Sequence, residues 1–400
     1  MLTIHAPKII ERENDTILQA DFECDGIKDT LWFSTSKEWG KYLCHERGDA
    51  FLVALLPIAM KQGEDIKVLA PISERLYYTL TKHFIKVLAD TYPGFHPVRI
   101  TCDIDRGHLP SAGGVGTALS CGIDSFCTII EHTDDACPPD FKLTHLTFFN
   151  SFHKEGNKTP SELYHERKAI IEKCAEELGL PLVTADSNIG GILFIEPPDS
   201  VYLYRNVAAA LAFQKLFKLY YYSSSYPANQ FTLNWRSAAS FEIYSLNMLS
   251  TNDTLLLACG ENYSRIEKTD IVSQWPFSYK YLNVCIIHQS DIVDRNCSRC
   301  GKCQRTLVTL DILGKIDQYN DVFDLDDYYK NRKKYFASVI LGKHRNLFQK
   351  DIYEAIQESG FRIPFGSYYY VLRSAAWKVV ALPLSFMRKT SKRLLGTDVR

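Results

Sequence analysis

Short apolar runs alternate with helix-length segments in the middle of the chain, and this alternation limits the fold more than any other feature of the sequence. Runs of this kind separated by helices predict parallel strands in one sheet, with helices on both faces. The predicted strands cover residues 115–120, 143–150, 181–186, 219–225 and 255–259, and the predicted helices cover residues 124–132, 160–178, 200–217 and 236–249. We therefore predict an α/β fold for this region.

The regions on either side have other patterns. Before the parallel region, strand-like runs at 17–24, 30–34, 66–69 and 98–102 are mixed with helical patterns at 50–61 and 73–91. Glycine and proline between residues 107 and 116 break the pattern, and after about residue 316 the chain is helical. We predict three segments: an N-terminal α+β domain at 1–110, the parallel-sheet domain at 111–315, and a helical C-terminal region with a basic tail at 316–400.

One predicted helix carries start and stop signals. Thr159 is suited to cap it, Pro160 to occupy its first position, Glu162 to complete a capping box and Gly179 to end it.

Charge and composition narrow the function classes. The 46 basic and 47 acidic side chains give a net charge of −1, so no global field attracts nucleic acid or acidic partners. The sequence has no apolar run of about 18 residues, and its first residues lack the apolar stretch of a signal peptide. We therefore expect a cytoplasmic protein, in which the 12 cysteines stay thiols unless a metal binds them.

The strongest motif follows the first strand of the predicted parallel sheet. Residues 120–125 read Ser-Cys-Gly-Ile-Asp-Ser and connect that strand to a helix. Short side chains let backbone N–H groups converge on an anion, and the helix N-terminus adds its positive end, so this turn can hold pyrophosphate without a lysine. The hydroxyls of Ser120 and Ser125 can add two donors. An ordinary tight turn is the alternative interpretation.

This turn resembles the Ser-Gly-Gly-x-Asp-Ser loop of the N-type ATP pyrophosphatases, the PP-loop superfamily. The resemblance covers residues 113–315, is strongest to 7-cyano-7-deazaguanine synthase-like proteins, and implies an adenine-nucleotide alpha-hydrolase-like domain. It implies that ATP with Mg²⁺ binds at the loop and that the adenine lies beside the second strand. The implied nucleotide-binding residues are Ser120, Cys121, Gly122, Ile123, Asp124, Ser125, Phe149, Asn150 and Ser151. Cys121 replaces the first glycine of the family loop, and we expect it to be tolerated if it keeps ordinary backbone angles.

A group of four cysteines predicts a metal site. Cys285 ends a strand-like run at 281–285, and Cys297, Cys300 and Cys303 follow with gaps of two residues between them. Such gaps let a turn direct sulfurs at one ion, and a distant cysteine completes a tetrahedron, so we predict structural Zn²⁺. His288 could replace Cys285, and independent thiols or an iron–sulfur cluster are the alternatives. The pattern also resembles the four-cysteine zinc site of 7-cyano-7-deazaguanine synthase, in which the first gap is shorter.

Two cations stand one helical turn apart in the Arg-Ile-Glu-Lys stretch at 265–268. On the residues alone, a solvated helix face is the alternative interpretation. A similar stretch precedes the cysteine group in related PP-loop proteins, which implies that Arg265 and Lys268 neutralise charge on the leaving pyrophosphate. Arg305 is a weaker candidate for the same role. Asp124 is expected to help place Mg²⁺.

The reaction implied by the resemblance is attack by a carboxylate or carbonyl oxygen of a small molecule on the α-phosphate of ATP. Pyrophosphate leaves, and a nitrogen nucleophile then displaces the adenylate, as in amide or nitrile formation. Thiolation of a nucleic-acid base, with sulfur on Cys121, Cys127 or Cys259, stays open, although the sequence shows no clear nucleic-acid groove. A non-catalytic nucleotide-binding partner protein also stays open. The resemblance associates such proteins with cell-surface polysaccharide synthesis.

Aromatic and basic residues alternate near the end of the chain, at 368–395. This pattern is typical of a segment that makes weak contact with a membrane surface, although Pro383 would break a helix there. A terminal helix that packs on the protein, with a basic solvated end, is the alternative.

Overall fold

A computed structural model of the chain describes residues 1–24, 26–153, 158–285 and 295–374. By its internal contacts the chain forms two compact units, Met1–Ser264 and Arg265–Arg400. Strands and α-helices are numbered here in chain order over the described residues.

The first unit holds the strands. They are β1 (Leu2–Ile4), β2 (Lys8–Glu11), β3 (Asp15–Cys24), β4 (Ile27–Ser36), β5 (Ile66–Val68), β6 (Ile72–Ser73), β7 (Ile100–Thr101), β8 (Ile104–Asp105), β9 (Gly114–Ala118), β10 (His145–Phe149), β11 (Leu182–Ser187), β12 (Phe217–Ser223) and β13 (Leu255–Cys259). Its helices are α1 (Lys37–Gly40), α2 (Asp49–Gln62), α3 (Glu74–Thr79), α4 (Ile85–Thr91), α5 (Ile123–Thr133), α6 (Pro160–Leu178), α7 (Ile189–Ile192), α8 (Tyr202–Ala212) and α9 (Glu242–Leu249). A π-helical turn, Leu80–Phe84, joins α3 to α4 within the predicted helix at 73–91.

The second unit is helical where it is described. Its helices are α10 (Arg265–Ser273), α11 (Phe277–Tyr281), α12 (Gly301–Ile312), α13 (Leu325–Gly342) and α14 (Leu347–Ser359).

The central sheet of the first unit has the order β13-β12-β9-β10-β11-β4-β3-β1-β5-β7 among the described residues, with β2 paired to β3. Strands β9 to β13 pair in parallel, which confirms the predicted α/β architecture with a parallel sheet. Within this parallel part, chain order places the first strand, β9, between the second and the fourth. The chain passes from β9 to β10 on one side of β9, and the connection from β11 brings β12 to its other side, so a crevice is expected at the carboxyl end of β9.

The N-terminal strands continue the same sheet. Strand β4 pairs antiparallel with β11, and the Asn188 side chain binds the backbone of Trp32 and Thr30 beside that pairing. Residues from both regions also share one apolar core. The contact boundary between the units falls at Ser264, so the three-segment division of the sequence stays a prediction.

Helix α6 has the predicted ends. The Thr159 side chain accepts from the Glu162 backbone while Glu162 binds the Thr159 backbone, and Gly179 ends the helix with φ of 68°. The capping box, the first-turn proline and the terminal glycine are confirmed.

No helix in the described ranges is long and apolar enough to cross a membrane. The surface-contact segment predicted at 368–395 lies outside the described residues from position 375 onward, and it stays a prediction.

Candidate functional sites

The predicted phosphate loop lies at the carboxyl end of β9. Strand β9 ends at Ala118 and helix α5 begins at Ile123, so the loop enters the crevice where the sheet connections change direction. Ligands of open α/β sheets bind in this crevice. The topology thus brings the loop to the position that ligand binding in such sheets requires.

Side chains of the loop bind its own backbone. The Ser125 hydroxyl accepts from the Ser120 N–H (3.2 Å) and donates to the Ala118 carbonyl (2.9 Å). The Ser120 hydroxyl accepts from the Gly122 N–H at 3.3 Å and is otherwise exposed. Ser125 therefore braces the turn in this structure, whereas the Ser120 hydroxyl remains accessible as a donor.

Cys121 does not keep ordinary backbone angles. Its φ is 57°, in the left-handed region that favours glycine, so the condition that we set for tolerating the cysteine is not met. The side chain is 0% exposed, and the hydrogen bond of its thiol with Cys174 and its burial raise the pKa of Cys121. The buried contact between the Cys121 and Cys174 thiols thus accompanies an unfavourable backbone conformation at Cys121.

The N-terminus of α5 faces this loop without a side-chain cap in the described structure. Gly122 is the N-cap residue and offers no side chain, while Asp124 stands half-buried in the first turn. The first N–H groups of a helix have no partner within the helix and attract anions. The eleven residues of α5 give this end a full helix dipole.

The residues predicted to lie near adenine end the neighbouring strand. The Phe149 ring stacks on Phe213 with centroids 5.5 Å apart, so this side chain belongs to the core. Asn150 and Ser151 are buried, and the Asn150 amide donates to Asp186 at 2.6 Å. Asn150 Oδ1 has no hydrogen-bond partner within the described ranges.

Two polar residues of α8 meet the same strand end, and the sequence analysis missed both. Arg205, 0% exposed, donates to the Ser151 carbonyl at 3.2 Å, and Asn206 accepts from the Ser151 hydroxyl at 2.6 Å. Burial lowers the pKa of Arg205. An arginine next to an asparagine in an otherwise apolar helix is a signal that could have identified them.

The four predicted metal-ligating cysteines converge. The Sγ atoms of Cys285, Cys297, Cys300 and Cys303 all lie within 4.8 Å of one another. Two of the separations are 3.8 Å (Cys297 to Cys303) and 3.4 Å (Cys300 to Cys303). Zn–S bonds of about 2.3 Å in a tetrahedron place sulfurs roughly 3.8 Å apart. The cluster therefore fits a metal such as zinc.

Backbone geometry directs these sulfurs inward. The Cys300 N–H donates to Cys297 Sγ at 3.3 Å, and the Cys303 N–H donates to Cys300 Sγ at 3.5 Å, where α12 begins. Ser298, between Cys297 and Cys300, has φ of 57°. A tight turn followed by a helix N-terminus thus presents three of the four thiols.

The run that leads to Cys285 is not a strand, which corrects the predicted strand at 281–285. Helix α11 ends at Tyr281, and the Val284 N–H donates to the Asn296 side chain at 2.7 Å instead of to a neighbouring strand. The Asn296 amide also donates to Leu282 at 2.8 Å. This asparagine joins the Cys285 loop to the segment that carries the other ligands. His288, the alternative ligand, lies outside the described residues.

Hydrogen bonds among the crowded thiols raise the pKa of two of them. The hydrogen bond with Cys300 is the largest cause that raises the pKa of Cys285 to about 11, and contacts with Cys285 and Cys300 raise the pKa of Cys303 strongly. A metal ion would stabilise the thiolates and release these protons.

In the second unit, the predicted cations lie on packed helices rather than on a solvated face. Lys268 on α10 is 1% exposed. The guanidinium groups of Arg265 and Arg305 lie 5.8 Å and 3.8 Å from the centroid of the Phe348 ring. The structure thus brings Arg265 and Arg305 together, and the role of Arg265 and Lys268 in catalysis stays a prediction.

The chain matches no family model, no curated protein and no solved structure. The resemblance to PP-loop proteins stays a prediction from the residues of the loop, the Arg-Ile-Glu-Lys stretch and the cysteine group.

Proposed function

We propose that the protein binds ATP with Mg²⁺ at the loop of residues 120–125 and transfers its adenylyl group to an oxygen of a small-molecule carboxylate or carbonyl compound. The observation that carries this proposal is the position of the loop, between β9 and the uncapped N-terminus of α5 in the crevice of the parallel sheet. Backbone N–H groups at such a position suit the β- and γ-phosphates.

The neighbouring strand end supports a bound base. Asn150 Oδ1 is a buried acceptor without a partner among the described residues, and a buried acceptor of this kind is costly unless a ligand or water binds it. An amino group of adenine would supply the missing donor. Asp124, in the first turn of α5, would help to hold Mg²⁺, which favours carboxylate and phosphate oxygens.

Burial of the cysteines counts against the thiolation alternative. Cys121 and Cys127 are 0% exposed and Cys259 is 5% exposed. Burial also raises the pKa of Cys259. Sulfur carriage requires an accessible thiolate, so these environments favour adenylation followed by attack of a nitrogen nucleophile.

The four-cysteine cluster is proposed as a structural zinc site. Four thiolates fill a tetrahedral coordination sphere and leave no position for water or substrate. Its role would be to hold the Cys285 loop on the first turn of α12.

The products of ATP turnover test the reaction. We expect AMP and pyrophosphate when the protein is mixed with ATP, Mg²⁺ and a panel of carboxylic acids with an ammonia source. Gly122→Val should abolish ATP binding in calorimetry, because its side chain would fill the approach to the backbone N–H groups. The φ of −85° and ψ of 169° at Gly122 accept valine, so the fold should survive.

Matched variants make this test specific. Gly191→Val is the control, since a Cβ at Gly191 meets nothing within 4 Å, and it should bind ATP normally. Ser120→Ala removes one hydroxyl donor and should weaken binding by roughly 1.5–3 kcal/mol. Formation of ADP and phosphate, or normal ATP affinity in Gly122→Val, would overturn the proposal.

A further inference from the structure

A second group of metal-ligand side chains lies in the first unit, apart from the cysteine cluster. Glu131 and His132 stand in the last turn of α5, and Cys259 ends β13. One ligand atom from each residue lies within 4.8 Å of the other two. Cys259 Sγ is 3.5 Å from Glu131 Oε2 and 3.6 Å from His132 Nδ1.

These separations match those of ligands on one ion. Zinc binds sulfur at about 2.3 Å and nitrogen or oxygen at about 2.0–2.2 Å, so tetrahedral neighbours lie roughly 3.3–3.8 Å apart. Thiolate, imidazole and carboxylate together are a donor set that favours zinc over magnesium or calcium. Cys259 is buried, while Glu131 and His132 are half-buried and can be reached by solvent.

Neighbouring groups fix the orientation of two ligands. The His132 ring lies against Tyr221 with centroids 3.8 Å apart, and Nδ1 is 2.9 Å from the Thr128 carbonyl. The Tyr263 hydroxyl forms a hydrogen bond with Glu131. An outer group that holds a metal-binding carboxylate in this way is typical of metal sites. An ion bound through Nδ1 would replace the contact with Thr128.

Burial is the largest cause that raises the pKa of Cys259, and the nearby Glu131 carboxylate raises it further. The same carboxylate raises the pKa of Tyr263 to about 12. A divalent ion bound by the three side chains would replace the thiol proton of Cys259.

We propose that Glu131, His132 and Cys259 form a zinc site with three protein ligands and an open fourth position. A site of this composition keeps a water or another small ligand on the ion, unlike the closed cluster of four cysteines. Cys259 pairs with Ser223 at the carboxyl ends of β13 and β12, so the ion lies at the same edge of the sheet as the loop after β9. The proposal does not depend on ATP binding.

Zinc stoichiometry tests it. Full-length protein, dialysed against buffered micromolar free Zn²⁺ and then against metal-free buffer, should hold about two zinc ions per chain by elemental analysis. Cys259→Ser and His132→Gln should each hold about one, because two protein ligands bind zinc far more weakly than three. Cys44→Ser replaces another buried cysteine and should keep both ions.

Cobalt provides a second measurement on the same variants. Co²⁺ should give about two equivalents of bound metal in the wild type. The double variant Cys300→Ser/Cys303→Ser, which leaves two cysteines in the cluster, should retain a weaker sulfur-to-cobalt absorption from the single thiolate of Cys259. Circular dichroism identifies any variant that fails to fold, and His132→Gln then replaces Cys259→Ser in the comparison. A saturated wild type with about one zinc ion, or folded variants that keep about two, would overturn the proposal.

Discussion

One residue with a left-handed backbone lies in the predicted phosphate loop, and another lies in the four-cysteine cluster. In the described ranges, the non-glycine residues with positive φ are Cys121, in the loop after β9, and Ser298, between two ligands of the cysteine cluster. A left-handed conformation costs a residue with a Cβ about 1–2 kcal/mol, so it persists where the surrounding structure requires it. At both positions the left-handed conformation produces a tight turn of the backbone within the predicted site.

Substitution at Cys121 should reveal this cost. Cys121→Val should lower the free energy of unfolding by roughly 2–3 kcal/mol, because a β-branched residue is poorly tolerated at a φ of 57°. Cys121→Gly should stay within about 1 kcal/mol of the wild type, since relief of strain offsets the lost thiol contact. Urea denaturation measures both.

The control separates strain from volume. Cys127→Val makes the same change at another fully buried cysteine, in the helical backbone of α5, and should cost only about 1 kcal/mol. Equal losses in the free energy of unfolding of the two valine variants would show that the left-handed conformation of Cys121 does not destabilise the protein.

At the scale of elements, the four-cysteine cluster joins α12 to the loop that carries Cys285. Cys300 is the N-cap of α12, since its sulfur accepts from the Cys303 N–H, and it is also one of the four proposed ligands. Two cysteines of the cluster, Cys300 and Cys303, lie at the first turn of this helix. A bound ion and the helix N-terminus should therefore stabilise each other.

Cys300→Ser leaves three cysteines, so it should bind zinc at this cluster more weakly and lose several kcal/mol of stability in the second unit. Serine can still cap the helix, so the loss reports on the metal rather than on the cap. Zinc analysis and thermal unfolding, with Cys44→Ser as control, measure the two effects. Iron with visible absorbance, or a variant that keeps both its zinc and its stability, would contradict a structural zinc site.

Local patterns predicted local structure well. Three predicted features that depend on residues close in sequence are present in the structure. They are the capping box at Thr159, the strand-turn-helix at 114–133, and the convergence of Cys297, Cys300 and Cys303. The catalytic roles of Asp124, Arg265 and Lys268 stay predictions. The loop at Cys285 was misassigned because its backbone amide partner, Asn296, lies beyond the apolar run that suggested a strand.

Distant contacts could not be derived from such patterns. Cys259 meets Glu131 across 128 residues of sequence, and each residue alone is unremarkable in the sequence. The positive φ of Cys121 also depends on packing, because the thiol partner stands on α6. Side chains brought together by the fold, rather than by spacing, account for the sites that the sequence analysis missed.

At the scale of the first unit, a buried ion pair ties the N-terminal region to the parallel sheet. Arg47 is fully buried and binds Asp253, which precedes β13, as well as Asp105. Its third contact, to the Gly107 carbonyl, is 2.9 Å long. Removal of one partner from a buried pair leaves the other charge without compensation.

Arg47→Met should lower the stability of this unit by about 3–5 kcal/mol. Arg99→Met, which breaks the exposed pair with Asp65, should cost less than about 1 kcal/mol. Hydrogen–deuterium exchange should show faster exchange in both β3 and β12 of the Arg47 variant, because they share one core. Faster exchange confined to residues 1–110 would show that this region unfolds independently.

The pairing of β4 with β11 has a consequence for biosynthesis. The Ser187 hydroxyl that binds the Trp32 carbonyl belongs to a residue translated 155 positions later. At about 5–20 residues per second, the ribosome takes roughly 8–30 s to deliver that partner. Throughout this interval β4 leaves the tunnel with one side of its backbone unpaired, and an open strand edge can bind other nascent chains. Slower translation of residues 37–187 should therefore lower the yield of folded protein, and a chaperone that covers β4 during this interval should raise it.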